Sequence, residues 1–259
     1  MPNKKTALYL FLLVIFIAFP IDSIAQVLRI VKTDGTEMEI PLYRINYMTI
    51  VDMPDPDPDH DYVDLGLPSG TLWATCNIGA RNPEEYGQYF AWGETETKDE
   101  YNWETYKWGD ADKFLVNKYC TIEKYGMVDD PVPLTELLFE DDAAYVNWGR
   151  QWRMPSREEI NELVDTRYTT TEWTTMNGVL GNKITSRSNN NSIFLPAGGY
   201  YRDETPVQVG ESGWYWSRTL YPDIPFNAYE LYFNISGNSF DFDGARDNGF
   251  SIRPVRVSQ

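Results

Sequence analysis

Residues 156–164 carry the clearest helical pattern in the chain. Ser156 suits an N-cap, and Glu159 three residues later completes a capping box. Apolar side chains then recur at helical spacing, at Ile160, Leu163 and Val164. Pro155, directly before the cap, favours an extended conformation at Met154. The pattern therefore predicts one amphipathic helix that starts at Ser156 and is preceded by a short straight segment.

A second, shorter helix is predicted between residues 140 and 148. Acidic residues occupy its first turn, where the helix dipole favours negative charge. The segment 152–154 that follows is expected to be extended, with Trp152 turned into the core.

The chain after the second helix is strand and turn. Strand-length segments run over 182–186, 192–201, 213–219, 229–235, 239–242 and 249–257. They are separated by stretches rich in Asn, Gly and Pro, which are the residues that turns require. Two helices followed by a run of strands is an α+β pattern.

The first 25 residues have the layout of a secretory signal peptide. Two lysines precede an apolar run over residues 7–19, and small residues at Ser23 and Ala25 mark a cleavage site. The run is short for a membrane span, which takes about 20 residues. We therefore expect an exported protein, periplasmic, surface-exposed or extracellular, that begins at Gln26 and has no transmembrane segment after cleavage.

Residues 26–52 predict a small β element that contains a hairpin. Asp34-Gly35 stands between two alternating apolar segments, which is a strong hairpin signal. A third strand is predicted around residues 45–50. Residues 53–61 alternate proline with aspartate, which is typical of an extended and solvated linker. The main domain is then residues 62–259.

The charge of the chain argues against two classes of partner. The net charge is -17, which disfavours nucleic acid and anionic membrane surfaces. Acidic residues concentrate between 84 and 142, a region that is expected to be mostly irregular. Its aromatic residues Trp103, Tyr106 and Trp108 are the candidate ligand-binding side chains, because exposed rings can stack on a ligand, and burial in the core is the equally weighted alternative for Trp103 and Trp108. Exposed rings would also contribute only about 0.5 kcal/mol to stability.

Other tryptophans lie in strongly patterned segments and are expected in the core. These are Trp73, Trp92, Trp148, Trp152 and Trp216. Cys76 and Cys120 could form a disulfide in an exported protein, or could both be buried free thiols.

Metal and catalytic chemistry have weak signals. Asp241, Asp243 and Asp247 surround a glycine as calcium ligands do, but Arg246 lies among them, and a hairpin turn is the competing interpretation. His60 is the only histidine and lies in the linker, where a metal set with neighbouring aspartates lacks fixed geometry. A histidine-based catalytic triad is therefore excluded from the main domain, and we expect neither enzyme activity nor a cofactor.

Several segments resemble a known family. They are VDLGLPSGTLWATCNIGA at 63–80, YFAWGET at 89–95, EDDAAYVNWGRQWRMPSREEINEL at 140–163, IFLPAGGYY at 193–201, GWYWSR at 213–218 and GFSIRPVR at 249–256. In this order they resemble the major paralogous domain first described in Fibrobacter succinogenes, which is abundant in exported proteins of Bacteroidetes. The resemblance implies a C-type-lectin-like fold, with two helices packed on a small twisted antiparallel sheet and long loops.

The sequence as a whole favours a non-catalytic recognition or surface-structural protein that binds a glycan or protein ligand. The alternatives are a hydrolase that acts on glycans and a subunit of a cell-surface assembly. The chain lacks the motifs of calcium-dependent sugar-binding lectins, and the closely spaced cysteine pair of formylglycine-generating enzymes is missing.

Overall fold

The computed structural model describes residues 27–31, 37–41, 60–130 and 132–257. For residues 27–31, 37–41, 238–243 and 257 the description covers the backbone. Contacts divide the chain into two compact units, Met1–Val51 and Asp52–Gln259.

The described part of the first unit is a pair of antiparallel strands, β1 (Val27–Val31) and β2 (Glu37–Pro41). The register places Leu28 opposite Ile40. This pairing confirms the two strands predicted on either side of Asp34-Gly35. The Asp34-Gly35 turn and the third strand predicted around residues 45–50 lie outside the described residues.

The second unit contains fifteen strands in the described part of the chain. They are β3 (Tyr62–Asp64), β4 (Thr71–Ala74), β5 (Tyr89–Phe90), β6 (Gly109–Asp110), β7 (Leu115–Val116), β8 (Thr169–Met176), β9 (Val179–Ser186), β10 (Ser192–Pro196), β11 (Tyr200–Arg202), β12 (Thr205–Val207), β13 (Ser212–Leu220), β14 (Asn227–Asn234), β15 (Gly237–Ala245), β16 (Phe250–Ser251) and β17 (Val255–Val257).

These strands form several small sheets. The largest has the order β15-β14-β13-β16-β5, and only its β13–β16 pair is parallel. Two three-stranded sheets have the orders β10-β9-β8 and β17-β4-β3, and β11-β12 and β6-β7 are two-stranded. The described helices are α1 (Ala143–Trp148) and α2 (Arg157–Val164), with 3-10 turns at Glu123–Tyr125 and Phe139–Asp141.

The predicted α+β, C-type-lectin-like fold class is wrong. Strands make up 37% of the structure and helices 11%, in multiple small sheets rather than two helices packed on one sheet. The helices have six and eight residues, and each contributes only three buried side chains. Strands and loops therefore supply most of the core, and the molecule is mostly β-sheet.

Both predicted helices are present, but the first turn predicted for the shorter one is wrong, because α1 starts at Ala143 and Glu140 and Asp141 lie in the 3-10 turn before it. The capping box between Ser156 and Glu159 is formed at the start of α2. Asp142 caps α1, and its carboxylate also accepts from the backbone N–H of Met154 at 3.0 Å. One side chain thus fixes both the start of α1 and the segment that leads to α2. Trp152 lies in the core, as predicted.

Glu159 joins α2 to the segment before it through a bidentate ion pair. Its two carboxylate oxygens each lie 2.6 Å from a guanidinium nitrogen of Arg153, and Thr71 donates to the same carboxylate. Burial acts to raise the pKa of Glu159, but the pair with Arg153 outweighs it and holds the pKa below its ordinary 4.5. The folded chain therefore favours the ionised form of Glu159 more strongly than the unfolded chain does.

This shift predicts how stability depends on pH. Because the folded pKa is the lower one, the contribution of Glu159 is present above the unfolded pKa and is lost as pH falls through the folded pKa. Glu159→Gln should lower the free energy of unfolding by about 2–3 kcal/mol near neutral pH. Urea unfolding of both proteins should show that gap narrowing below about pH 4. If the two proteins differ in free energy of unfolding by the same amount in acid as at neutral pH, the ionised Glu159 carboxylate is not the source of this stability.

The core contains all five tryptophans that the sequence placed there. Trp73, Trp92, Trp148, Trp152 and Trp216 are each at most 5% exposed. His60 also lies against this core, because its ring stacks on Trp148 with centroids 3.6 Å apart and planes at 11°. The prediction that His60 lies in a solvated linker is therefore wrong for this residue.

Two arginines, Arg246 and Arg253, are buried in the same core. Arg253 donates to the side-chain oxygen of Asn77 at 2.8 Å and to three backbone carbonyls, those of Ala74, Thr75 and Phe194. Burial lowers the pKa of Arg253 from its ordinary value. Its guanidinium joins the segment after β4 to β10.

Candidate functional site

Four aromatic side chains meet at the surface of the loop region, and we call Trp103, Phe114, Tyr125 and Phe226 the aromatic surface. Phe226 is its centre, with ring centroids 5.2 Å from Trp103, 5.2 Å from Phe114 and 5.5 Å from Tyr125. Three come from the irregular region and Phe226 from the turn before β14. Phe114 lies in the turn between the short strands β6 and β7, which pair with each other.

Phe114 is the unusual member of the aromatic surface. Its side chain is 61% exposed, and its φ of 53° lies in the left-handed region. This conformation costs a non-glycine residue about 1–2 kcal/mol. Its ring stacks on Phe226 at an interplanar angle of 29°. A large apolar ring is therefore held in water by a strained backbone, which is a feature that functional sites share.

Tyr106 lies beneath this surface rather than in it. It is 3% exposed, and its ring centroid is 5.6 Å from that of Trp103. Its hydroxyl donates to the carbonyl of Trp92 at 2.7 Å and accepts from Arg246 at 2.8 Å. Burial raises the pKa of Tyr106. Because no face of this ring is open, Tyr106 supports the surface and offers no stacking face of its own.

Trp108 is not part of the aromatic surface, although it packs with Trp103 against the cluster that contains Tyr106. Its ring lies under the ammonium groups of Lys107 and Lys118, at 4.3 and 4.8 Å from the centroid. Both lysines pair with the buried carboxylate of Asp141, at 3.4 and 2.6 Å. The hydroxyl of Tyr119 donates to the same carboxylate at 2.6 Å. Burial is the largest cause that raises the pKa of Tyr119, and this hydrogen bond is the next. The ammonium groups of Lys107 and Lys118 therefore already have partners in the Asp141 carboxylate and the Trp108 ring.

Of the three predicted ligand-binding residues, the structure therefore places only Trp103 in the aromatic surface. Trp103 and Trp108 are both half-buried rather than exposed. Sequence reasoning missed Phe114, Tyr125 and Phe226. Phe114 follows Asp112 and Lys113 but directly precedes Leu115 and Val116, so the sequence presents it as the start of an apolar run and gives no signal of exposure. Phe226 follows a proline-rich turn and carried no signal either.

The predicted calcium residues can be placed in part. The side chains of Asp241 and Asp243 lie outside the described residues, and their backbone belongs to β15. Asp247 follows in the turn, where burial raises the pKa of its carboxyl. The side chain of Arg246 is fully buried in the core. Among the side chains that are described, no group of three or more His, Cys, Asp or Glu could hold a metal ion.

The two cysteines are both free thiols. Cys120 is buried, its S–H donates to the carbonyl of Ile122 at 3.2 Å, and burial raises the pKa of its thiol. Cys76 is half-buried and lies beside Thr75. The disulfide that the sequence allowed is therefore not formed.

An open groove of about 610 Å³ follows the last turn of α2. Its lining includes three carboxylates, Glu158, Glu162 and Asp165, and Arg167 is paired to Asp165. Ser69 donates to Glu162 from the adjacent turn. Glu162 and Asp165 therefore already have partners, and Tyr168 is the one aromatic side chain among the described lining residues, whereas four rings meet at the aromatic surface.

No protein-family model, curated protein or solved structure matches the chain. Within the described residues, no helix has the length and apolar character needed to cross a bilayer.

Proposed function

We propose that this is an exported, non-catalytic recognition protein whose aromatic surface binds a neutral glycan. The observation that carries the proposal is Phe114, an exposed ring held on a left-handed backbone against Phe226. Folding alone gains little from such a ring, because most of it remains in water. Backbone strain that the fold retains at a largely exposed ring points to binding.

The chemistry around the rings favours a sugar without charge. Lys113 pairs with Asp110 at 3.0 Å, and Lys124 lies 4.3 Å above the ring of Tyr125. Local charges are therefore of both signs, and they can exchange hydrogen bonds with hydroxyl groups at the edge of a ring that stacks on Phe114. The net charge of -17 repels anionic polysaccharides.

Export rests on the sequence. The lysines, apolar run and small-residue exit of the first 25 residues support it, as does the resemblance of residues 62–257 to the major paralogous domain of exported proteins. Membership of that family is part of the proposal. A non-catalytic role is supported by Asp110, which is close to Phe114 in the chain and whose carboxylate is engaged by Lys113.

A protein ligand is the second candidate. Met127 and Ile224, next to Tyr125 and Phe226 in the chain, are 67% and 39% exposed. Exposed methionine and isoleucine beside aromatic rings are typical of protein interfaces.

Binding to a panel of soluble polysaccharides tests the proposal. Affinity electrophoresis with hydroxyethylcellulose, a galactomannan, a β-1,3-glucan and alginate should show retardation by at least one neutral polymer and none by alginate. Phe226→Ala should abolish that retardation, because it removes the centre of the aromatic surface. Phe139→Ala is the matched control, since Phe139 is also exposed and stacked, but on Tyr145.

Two outcomes would overturn the glycan assignment. One is migration unchanged by every neutral polymer, which would leave the protein-ligand candidate. The other is release of reducing sugar from a retained polymer, which would indicate a glycan hydrolase.

A further inference from the structure

Arg246 is fully buried in the turn that follows β15, and its guanidinium reaches three segments at once. It donates to the hydroxyl of Tyr106 at 2.8 Å, to the carbonyl of Pro225 at 2.7 Å, and to the carbonyls of Tyr119 and Lys118 at 3.2 and 3.0 Å. All four acceptors are neutral oxygens. The geometry of the planar fork, rather than charge pairing, is therefore what these contacts use.

Each of the three segments leads to the aromatic surface. Tyr106 carries the ring that supports Trp103. Pro225 precedes Phe226, whose own carbonyl accepts from the backbone N–H of Arg246 at 2.9 Å. Lys118 and Tyr119 end the segment that begins at Phe114, and the backbone N–H of Asn117, directly before Lys118, donates to the carbonyl of Trp108 at 2.8 Å. The side chain of Arg246 thus connects three segments that are distant in sequence.

We propose that Arg246 is the positioning residue of the ligand site, and that its guanidinium sets the spacing of Trp103, Phe114 and Phe226. The proposal rests on the proposed function and extends it, since it names the residue that fixes the geometry of the recognition surface. Binding surfaces require their contact residues to be held by a supporting layer, because a loosely held ring loses affinity. Arg246 provides that layer without contacting the ligand.

Arg253 provides a matched control. It is also buried and donates to four oxygens, but those belong to Asn77, Ala74, Thr75 and Phe194, which are not part of the aromatic surface. A lysine cannot reproduce either fork, because it offers one ammonium at a single point. Arg246→Lys and Arg253→Lys should therefore both lose stability, and only Arg246→Lys should disturb the rings.

The test uses the full chain labelled with 4-fluorophenylalanine. Fluorine spectra report the rings of Phe114 and Phe226 directly, with each resonance assigned by its loss in Phe114→Leu and Phe226→Leu. In folded Arg246→Lys both resonances should shift, because the ring currents of neighbouring rings depend on their spacing. In folded Arg253→Lys both should stay at their wild-type positions. Resonances of Phe114 and Phe226 that are unchanged in Arg246→Lys would overturn the proposal.

Two further measurements keep the test decisive. If Arg246→Lys does not fold, Tyr106→Phe removes one acceptor of the fork while keeping the ring, and it should shift the Phe226 resonance; an unchanged spectrum overturns the proposal. Binding to hydroxyethylcellulose should weaken about tenfold in Arg246→Lys and remain at the wild-type level in Arg253→Lys. Should wild type bind no neutral polymer, the proposed function fails, while the fluorine spectra still decide the role of Arg246.

Discussion

Replacing Arg253 by alanine should lower the free energy of unfolding by at least about 4 kcal/mol. The side chain is 1% exposed, and its loss leaves one carboxamide oxygen and three backbone carbonyls without their donor. Each buried acceptor left unsatisfied costs about 1–3 kcal/mol. A cavity the size of the arginine stem adds to that loss.

Urea unfolding of Arg253→Ala and Arg202→Ala measures this effect against an internal standard. Arg202 lies on the surface in β11, so its replacement should change stability by no more than about 0.5 kcal/mol. Similar midpoints for the two variants would show that water replaces the guanidinium of Arg253 without cost. The assignment of Arg253 as a structural tie between β4 and β10 would then be withdrawn.

The second large effect is expected at Trp216. This residue is fully buried in β13, its ring stacks on Phe250 with centroids 4.0 Å apart, and its indole N–H donates to the carbonyl of Phe90 at 2.9 Å. Trp216→Ala should cost about 3–5 kcal/mol, because it empties the space between β13, β16 and β5.

Trp103→Ala is the companion to that variant, and its half-buried ring should cost about 1–2 kcal/mol. The sequence leaves exposure and burial of Trp103 and Trp108 equally open, and it predicts almost no stability loss on replacement if the two rings are exposed. Thermal melts of the two variants separate these positions. A loss at Trp103 as large as that at Trp216 would move the ring into the core and remove it from the aromatic surface.

Local signals in the sequence predicted local structure well. The capping box of Ser156 and Glu159 involves residues one turn apart, so its bonds form wherever the helix forms. The dipeptide Asn177-Gly178 is an equally local hairpin signal, but it was missed as a turn in the sequence. In the structure it forms the turn between β8 and β9, with φ of 49° and 88°. The cause is β8 itself, TTTEWTTM, where threonines hide the alternation of apolar and polar positions that identifies a strand.

Long-range features could not be predicted in the same way. Phe226 reaches Trp103 because Arg246 binds the carbonyl of Pro225 and the hydroxyl of Tyr106. No spacing along the chain encodes that convergence. The fold class failed for a related reason, since two well-capped helices are visible in a sequence while the pairing of many short strands is not.

The measurement that tests the account most directly is the Phe114→Gly variant, studied by urea unfolding and by affinity electrophoresis on hydroxyethylcellulose. Glycine adopts a φ of 53° without strain, so the free energy of unfolding should stay within about 1 kcal/mol of wild type and exceed that of Phe114→Ala. Retardation by the polymer should nevertheless disappear in both variants, because the exposed ring is gone. Wild-type retardation of Phe114→Gly would contradict the claim that this strained ring is held for binding.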